Sequence, residues 1–316
     1  MPKASGRNKI TIDIVLQRLV ASKKHNVKME NKRIAILLAT YNGERFLREQ
    51  IESLYAQSLQ GWTVYVHDDG STDGTKAILD EYAQTKDNFV VLDYPSKGGA
   101  SANFFSLLKF VNASYYFFAD QDDVWMAEKM ERCMARMELA ENEDTDRPVL
   151  VCCDACVTDA SLNVLSPSLW ERSGAHPEFL TNFDESAATP FVTGCTMLIN
   201  RKAKDSVLWQ QTDKATMHDA FITLCVFKAH GEVVPLRESL MYYRQHGDNT
   251  LGAYSCERGS LTYKLKHIGY VLRKDWALLR MLHALGYGSI FKFLKYKSEY
   301  KRRCREAENK KKGNTE

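Results

Sequence analysis

No stretch of 18 consecutive apolar residues occurs in the sequence, which argues against a membrane-spanning helix. The apolar segment Ile10–Val20 is interrupted by Asp13, Gln17 and Arg18. It therefore does not read as the core of a secretory signal, and the expected location is the cytoplasm. Proline is scarce, 7 residues against 17 glycines in a chain of 316, which fits neither a collagen-like nor a low-complexity chain. The 8 cysteines are scattered too widely for a disulfide scaffold and read as reduced thiols. Cys153 and Cys156 form a CxxC within the strand-like run 149–157, where positions three apart face opposite sides and are badly placed to share a zinc. The turn after the first apolar run, Ala39-Thr-Tyr-Asn-Gly43, lacks GxGxxG, and GxxxxGK[ST] is missing altogether. A nicotinamide dinucleotide site and a P-loop are both disfavoured.

What is present is 44% hydrophobic residues, enough for a full core, and a net charge of +3 that hides a strong asymmetry. Residues 1–30 carry +5, residues 31–256 carry −12 and residues 257–316 carry +10. We expect a basic N-terminal extension over 1–30, a globular domain over 31–256 and a basic amphipathic helical region over 257–316. Nucleic acid is not expected as a partner, because the acidic body would repel phosphate backbones. In the tail, Leu261, Leu265, Ile268, Leu272, Trp276, Leu279 and Leu282 recur at spacings of three or four among lysines and arginines. Such a stripe either packs on the domain or lies on an anionic membrane surface.

The domain reads as repeated strand–loop–helix units. Ile34–Ala39, Thr63–His67, Phe89–Leu92 and Tyr115–Ala119 are apolar runs of strand length, each followed by a polar loop and then by apolar residues at helical spacing. Four such units predict a mostly parallel sheet flanked by helices, an α/β fold. The third helix is expected from about Asn103, and Met126 is expected on the fourth with Met130, Met134 and Met137. Ligands of such sheets bind beyond the carboxyl ends of the strands, so the four loops face one crevice.

Asp120-Gln-Asp-Asp123 puts three carboxylates into four residues after a strongly apolar strand. Crowded like charges call for a cation, and hard oxygen donors without sulfur or imidazole favour Mg²⁺ or Mn²⁺, ions that usually bring phosphate with them. Asp68 and Asp69 end the second strand, where a carboxylate can accept hydrogen bonds from a ribose hydroxyl or a base N–H. Taken without their neighbours, His218 and His246 would pass for structural histidines.

Together, Ala39-Thr-Tyr-Asn42, Asp68-Asp-Gly-Ser-Thr-Asp73, Lys97-Gly98 with Asn103, and Asp120-Gln-Asp-Asp-Val-Trp125 resemble, in order, the motifs of family 2 glycosyltransferases of the GT-A fold. Phe191–Met197, Met217-His-Asp219 and Tyr243-Arg-Gln-His-Gly247 are similar to the bacterial rhamnosyltransferase-like branch. The resemblance spans roughly residues 33–252. It implies a GT-A, Rossmann-like sheet with a C-terminal helical extension. It further implies that Tyr41 stacks on a pyrimidine, that Ala39 contacts the base through its backbone, and that Asp69 binds the base N–H. Lys97 and Asn103 would complete the donor-nucleotide site. Asp120 or Asp122 would hold the ribose, and Asp122 and Asp123 the metal, joined by His246. Asp219 matches the catalytic base, with His218 standing where an acid often precedes it. Gly194, His218, Gln245 and Asn249 would border the substrate pocket.

The implied activity is inverting, divalent-metal-dependent transfer of a sugar, L-rhamnose from dTDP-rhamnose being the first candidate, to a growing bacterial surface glycan on a lipid-linked acceptor. An enzyme of this kind would work in the cytoplasm, at the inner face of the membrane. A UDP-hexose transferase of the same fold and a non-catalytic nucleotide-sugar or glycan-binding partner are the alternatives. A sugar nucleotidylyltransferase would need a glycine-rich, basic phosphate loop after the first strand, which Ala39–Gly43 is not.

Overall fold

The structure is a computed structural model that describes residues 33–96, 98–144, 146–247 and 268–313. Lys97, Asn249, the 1–30 extension and the stripe residues Leu261 and Leu265 lie outside the described residues.

Strand β1 (Ile34–Thr40) is buried at every position, as a continuous apolar run must be when helices cover both faces of a sheet. It pairs in parallel with β2 (Trp62–Asp68) and β4 (Tyr115–Asp120), and β2 pairs in parallel with β3 (Phe89–Val91). The connecting helices are α1 (Leu47–Tyr55), α2 (Thr75–Thr85) and α3 (Ala100–Phe110). Helix α3 starts three residues before its expected onset, because the Gly98–Gly99 turn rather than Asn103 sets its beginning.

The second half of the sheet is mixed. β5 (Val124–Trp125), α4 (Lys129–Glu143), β6 (Val149–Thr158), β7 (Val164–Ser166), β8 (Met197–Asn200) and β9 (Glu232–Arg244) give the order β3-β2-β1-β4-β8-β6-β9-β5, with β7 on β6. β8 is antiparallel to both β4 and β6, and β9 is parallel to β6, so β6 and β9 run the same way as β1–β4. The sheet is thus mostly parallel, as expected, with β8 inserted against the grain. Met126 does not join the fourth helix; its N–H continues the β5–β9 pairing by donating to the Leu240 carbonyl (3.0 Å), and α4 begins at Lys129. Met130, Met134 and Met137 are buried on that helix, as expected.

Alternation along the strands feeds two cores. Ile34, Ile36, Leu38 and Phe117 pack with α1, α2 and α4 on one face. Ala35, Leu37, Tyr116 and Phe118 pack on the other with α3 and with α8 (His218–Lys228), after the short helices α5 (Leu169–Ser173), α6 (Phe183–Ala188) and α7 (Arg201–Asp205). Each fully buried Leu or Ile contributes about 1.5–3 kcal/mol of transfer free energy. The chain closes with α9 (Ile268–Ala284) and α10 (Ile290–Gly313). Met281, Leu282, Leu285, Tyr287 and Phe293 enter the second core, while Trp276 is 70% and Phe291 82% exposed. Among the described residues, no helix is long and apolar enough to cross a membrane, and the cysteines are all free thiols.

Candidate active site

Register brings the loops together. Ala39 lies beside both His67 and Asp120, and Thr40 beside Asp68, so three loops leave the sheet at one level. They open into a cavity of about 560 Å³. Nine of the residues singled out in the sequence line it: Ala39, Tyr41, Asp69, Asn103, Asp120, Asp122, Gly194, His218 and Asp219. Asp123, Gln245 and His246 are not in its wall.

At one end the polar groups hold the loops. Asn42, in the left-handed region at φ 49°, accepts the Thr72 N–H (2.9 Å), a conformation asparagine tolerates better than most residues. Asp68 accepts the Ser71 N–H (2.8 Å) and the Thr40 hydroxyl (3.1 Å). Asp69 accepts the Gly99 N–H (2.6 Å) and the Gly98 N–H (3.3 Å), with Ser96 Oγ close on the same carboxylate. Its expected base-binding carboxylate therefore also closes the loop that starts α3. Asn103 is buried against His67, donating to its carbonyl (3.0 Å) and meeting its Nδ1 (2.8 Å). Tyr41 is 56% exposed at the mouth. Its backbone is gripped from both sides by Gln121, whose Oε1 accepts the Tyr41 N–H (2.8 Å) and whose Nε2 donates to the Tyr41 carbonyl (2.9 Å). A Cβ at Gly43 would lie 2.3 Å from Gln121 Oε1, so glycine is what admits this clamp. In the sequence Gln121 is a spacer between two aspartates.

The acidic turn is not three equal carboxylates. Asp120 lines the cavity, and desolvation, reinforced by Asp122 and Asp219, pushes its pKa up to about 7. Asp122 Oδ2 meets His246 Nε2 at 2.8 Å, and the imidazole leans on Phe46 with ring centroids 4.8 Å apart. Asp123 is fully buried behind the wall; Oδ1 accepts the Arg244 N–H (3.1 Å) and Oδ2 has no partner. Burial, then Asp122 and Asp120, raise its pKa.

Ligand atoms of Asp120, Asp123 and Cys195 lie within 4.8 Å of one another. An orphaned carboxylate oxygen in an acidic cluster is what a cation would satisfy, so the Asp120 and Asp123 carboxylates fit a divalent ion. Cys195 adds a sulfur beside them, and the expected set Asp122, Asp123 and His246 does not form such a group among the described residues, Asp122 and His246 meeting each other instead. Two basic residues brace the turn: Arg244, which belongs to the motif Tyr243–Gly247 without a role of its own there, and Lys129, which no motif includes. Arg244 donates to the Asp122 carbonyl (2.7 Å) and to the Ala160 carbonyl (2.7 Å) and pairs with Glu49. Lys129, with no exposed surface, donates to the Cys195 carbonyl (2.7 Å) beneath the cluster. Gln245 is occupied with backbone, its N–H on Thr158 (2.9 Å) and its amide on Arg244 (3.1 Å).

At the other end, α8 begins with His218 and Asp219. Asp219 accepts the Gly194 N–H (3.0 Å) on Oδ2 and its neighbour Ala220's N–H (2.6 Å) on Oδ1. Desolvation nevertheless raises its pKa to about 6. Such a carboxylate is ionised at neutral pH yet basic enough to take a proton. His218 is 2% exposed, and burial drops its pKa to about 3. Gly194 opens a 3-10 turn before β8 and lines the cavity. Thr193 and Met217, which lie in the motifs Phe191–Met197 and Met217–Asp219 without a role of their own, also line it, as does Phe104, which no motif includes.

Comparison with known proteins bears on this geometry. The sequence model of glycosyl transferase family 2 matches residues 35–208. The dTDP-rhamnosyl transferase RfbG of Shigella flexneri is 29% identical over 252 residues, 76% of this chain and 80% of that protein. The UDP-Glc:alpha-D-GlcNAc-diphosphoundecaprenol beta-1,3-glucosyltransferase WfgD of Escherichia coli is 29% identical over 109 residues, 34% of this chain and 42% of that protein. Among solved structures, S. aureus TarS 1–349 in complex with UDP superposes with a TM-score of 0.53 at 16% identity, covering 85% of this chain and 91% of that one. That likeness is one of fold.

Proposed function

The chain belongs to glycosyl transferase family 2 and is a glycosyltransferase; from that premise we propose that it transfers a sugar from a nucleotide donor with inversion, using Asp219 as base and a divalent ion at the acidic turn. The observation that carries this reading is one cavity joining a loop-built nucleotide end, an acidic turn and the buried carboxylate of Asp219. The transferase domain is taken as 31–256, between the basic extension 1–30 and the helical region 257–316.

In this reading Tyr41, Ala39, Asp69, Asn103 and Lys97 receive the nucleotide, with Asp120 at the ribose. Asp122, Asp123 and His246 are the metal residues, and Gly194, His218, Gln245 and Asn249 border the sugars. Mn²⁺ or Mg²⁺ held there would offset the charge that gathers on the leaving diphosphate. The chain's own part is to hold and remove the acceptor proton: Asp219 takes it as the new glycosidic bond forms and the anomeric carbon–oxygen bond to the diphosphate breaks. One in-line displacement needs one base, whereas a retaining route needs a second carboxylate as nucleophile. No separate carboxylate among the described residues lining the cavity is set apart for that role, since Asp69, Asp120 and Asp122 belong to the loops assigned to the donor.

The dTDP-rhamnosyl transferase relative supports dTDP-L-rhamnose as donor, and the glucosyltransferase relative, named for a diphosphoundecaprenol acceptor, supports a lipid-linked glycan as acceptor. A UDP-hexose is the second reading for the donor. Peripheral attachment at the inner face of the membrane is supported by α10, where residues 290–310 hold eight basic and three acidic side chains, with Ile290, Phe291 and Leu294 exposed.

The test is mass spectrometry of donor consumption with Mn²⁺ over a panel of dTDP- and UDP-sugars. Cleavage of one donor, faster with acceptor, is expected, with proton NMR of the product showing the anomer opposite to that of the donor. Tight binding of donor with no cleavage would favour the non-catalytic partner instead.

A further inference from the structure

Of the described residues lining the cavity, His218 is the one whose buried side-chain nitrogens, Nδ1 and Nε2, both lack a hydrogen-bond partner. It does not support the base, since both oxygens of Asp219 are occupied by backbone N–H groups of Gly194 and Ala220. Its ring stacks on Phe104 with centroids 4.3 Å apart and lies 5.6 Å from Phe118. An apolar side chain would fill that slot as well, and an unpaired buried polar group lowers stability. A histidine kept there at a cost is explained by a ligand group that completes it.

The chemistry of that group follows from the ring. Burial keeps the imidazole neutral, so it presents one N–H donor and one lone pair. A phosphate could use only the donor, and its charge belongs with the acidic turn and its cation. A hydroxyl can use either nitrogen. Both nitrogens are buried, and Nε2 faces Gly194, where a Cβ would sit 2.5 Å from Nε2 and 2.8 Å from Cε1, so glycine is what keeps that side of the ring free of a side chain. The side of the cavity is fixed by Phe104, which belongs to the same first turns of α3 as the donor-binding Asn103.

We propose that His218 hydrogen-bonds a hydroxyl of the sugar carried by the nucleotide donor and thereby helps select which sugar the site accepts. This rests on the nucleotide-sugar reading above. It makes His218 a specificity residue and leaves proton removal to Asp219.

Calorimetric titration of wild-type protein, His218→Phe and His218→Asn in Mn²⁺ buffer tests it, with dTDP, dTDP-L-rhamnose, UDP and UDP-glucose as probes. For the nucleotide sugar that wild type binds, His218→Phe is expected to raise Kd about three- to tenfold, the worth of one neutral hydrogen bond. The Kd of the matching nucleoside diphosphate should not move, and His218→Asn, which keeps a donor and an acceptor, should recover part of the loss. Equal loss for sugar nucleotide and plain nucleotide would reveal a packing role and overturn the proposal, as would no loss for either. A second arm needs no variant: among monodeoxy analogues of the bound donor, one should weaken binding to wild type by a similar factor. Undiminished binding of every analogue would overturn it too. A wild-type protein that binds none of the four probes would instead remove the function reading on which the proposal stands.

Discussion

The two ends of the cavity treat their polar groups in opposite ways. At the nucleotide end, Asp68, Asp69, Asn103 and Gln121 already have protein partners, so the loops are held before any ligand arrives. At the chemical end, Asp219 is buried with its pKa raised, and His218 is buried with no partner. The first arrangement costs little and buys pre-organisation; the second sacrifices stability for reactivity, as active sites commonly do. Groups that only tie loops together therefore mark scaffold, whereas a carboxylate strongly desolvated despite its backbone partners, as at Asp219, and a buried ring without partners, as at His218, mark where chemistry is expected.

Breaking the chemical end should have the largest effect. Asp219→Asn is expected to lower turnover about 10²–10⁴-fold, the usual worth of a positioned base, with nucleotide affinity retained. Retained turnover in steady-state assays would erase the contrast between the ends. Next come the carboxylates between them: chelation with EDTA, or Asp122→Ala, should cost about 10²–10³-fold by analogy with removal of one transition-state stabiliser. Mn²⁺ should restore the chelated enzyme but not the variant. Gly194→Ala forces a Cβ into His218, and overpacking of this kind costs about 1–3 kcal/mol. Thermal unfolding should show that loss together with weaker sugar-nucleotide binding. The smallest effect belongs to the pre-organised end. Gln121→Leu removes both hydrogen bonds to the Tyr41 backbone and should weaken nucleotide binding by about 1 kcal/mol, roughly fivefold. A larger loss there than for Gly194→Ala would reverse the comparison.

How far these ends could be read from the sequence follows the range of the forces involved. The four apolar runs and their polar loops are local signals, and β1 to β4 lie where they were expected. The β8 insertion is not local: Met197–Asn200 is four residues long, and its place depends on pairing with β4 and β6 from distant parts of the chain. Helical spacing marked the tail as amphipathic but could not say what covers it. In the described part Leu282 is buried and Trp276 is exposed. Motif resemblance singled out Asp219 and the acidic turn, residues that the structure sets at one cavity, yet it could not distinguish Asp123, sunk beneath Arg244, from Asp120 in the wall. Gln121, 80 positions from Tyr41, became meaningful only when the two loops met.

The most direct test of Asp219 as a buried base is the pH dependence of kcat/KM for sugar transfer, measured at saturating Mn²⁺. Because the base must be deprotonated and its pKa is raised from 3.8 to about 6, the rate should climb as pH increases through about 6 and fall away below it. The part of that limb near pH 6 should vanish from the residual activity of Asp219→Asn, leaving only what the cavity-lining Asp120, raised to about 7, contributes. A wild-type profile flat down to pH 4, or a profile that Asp219→Asn leaves unchanged in shape, would contradict the account.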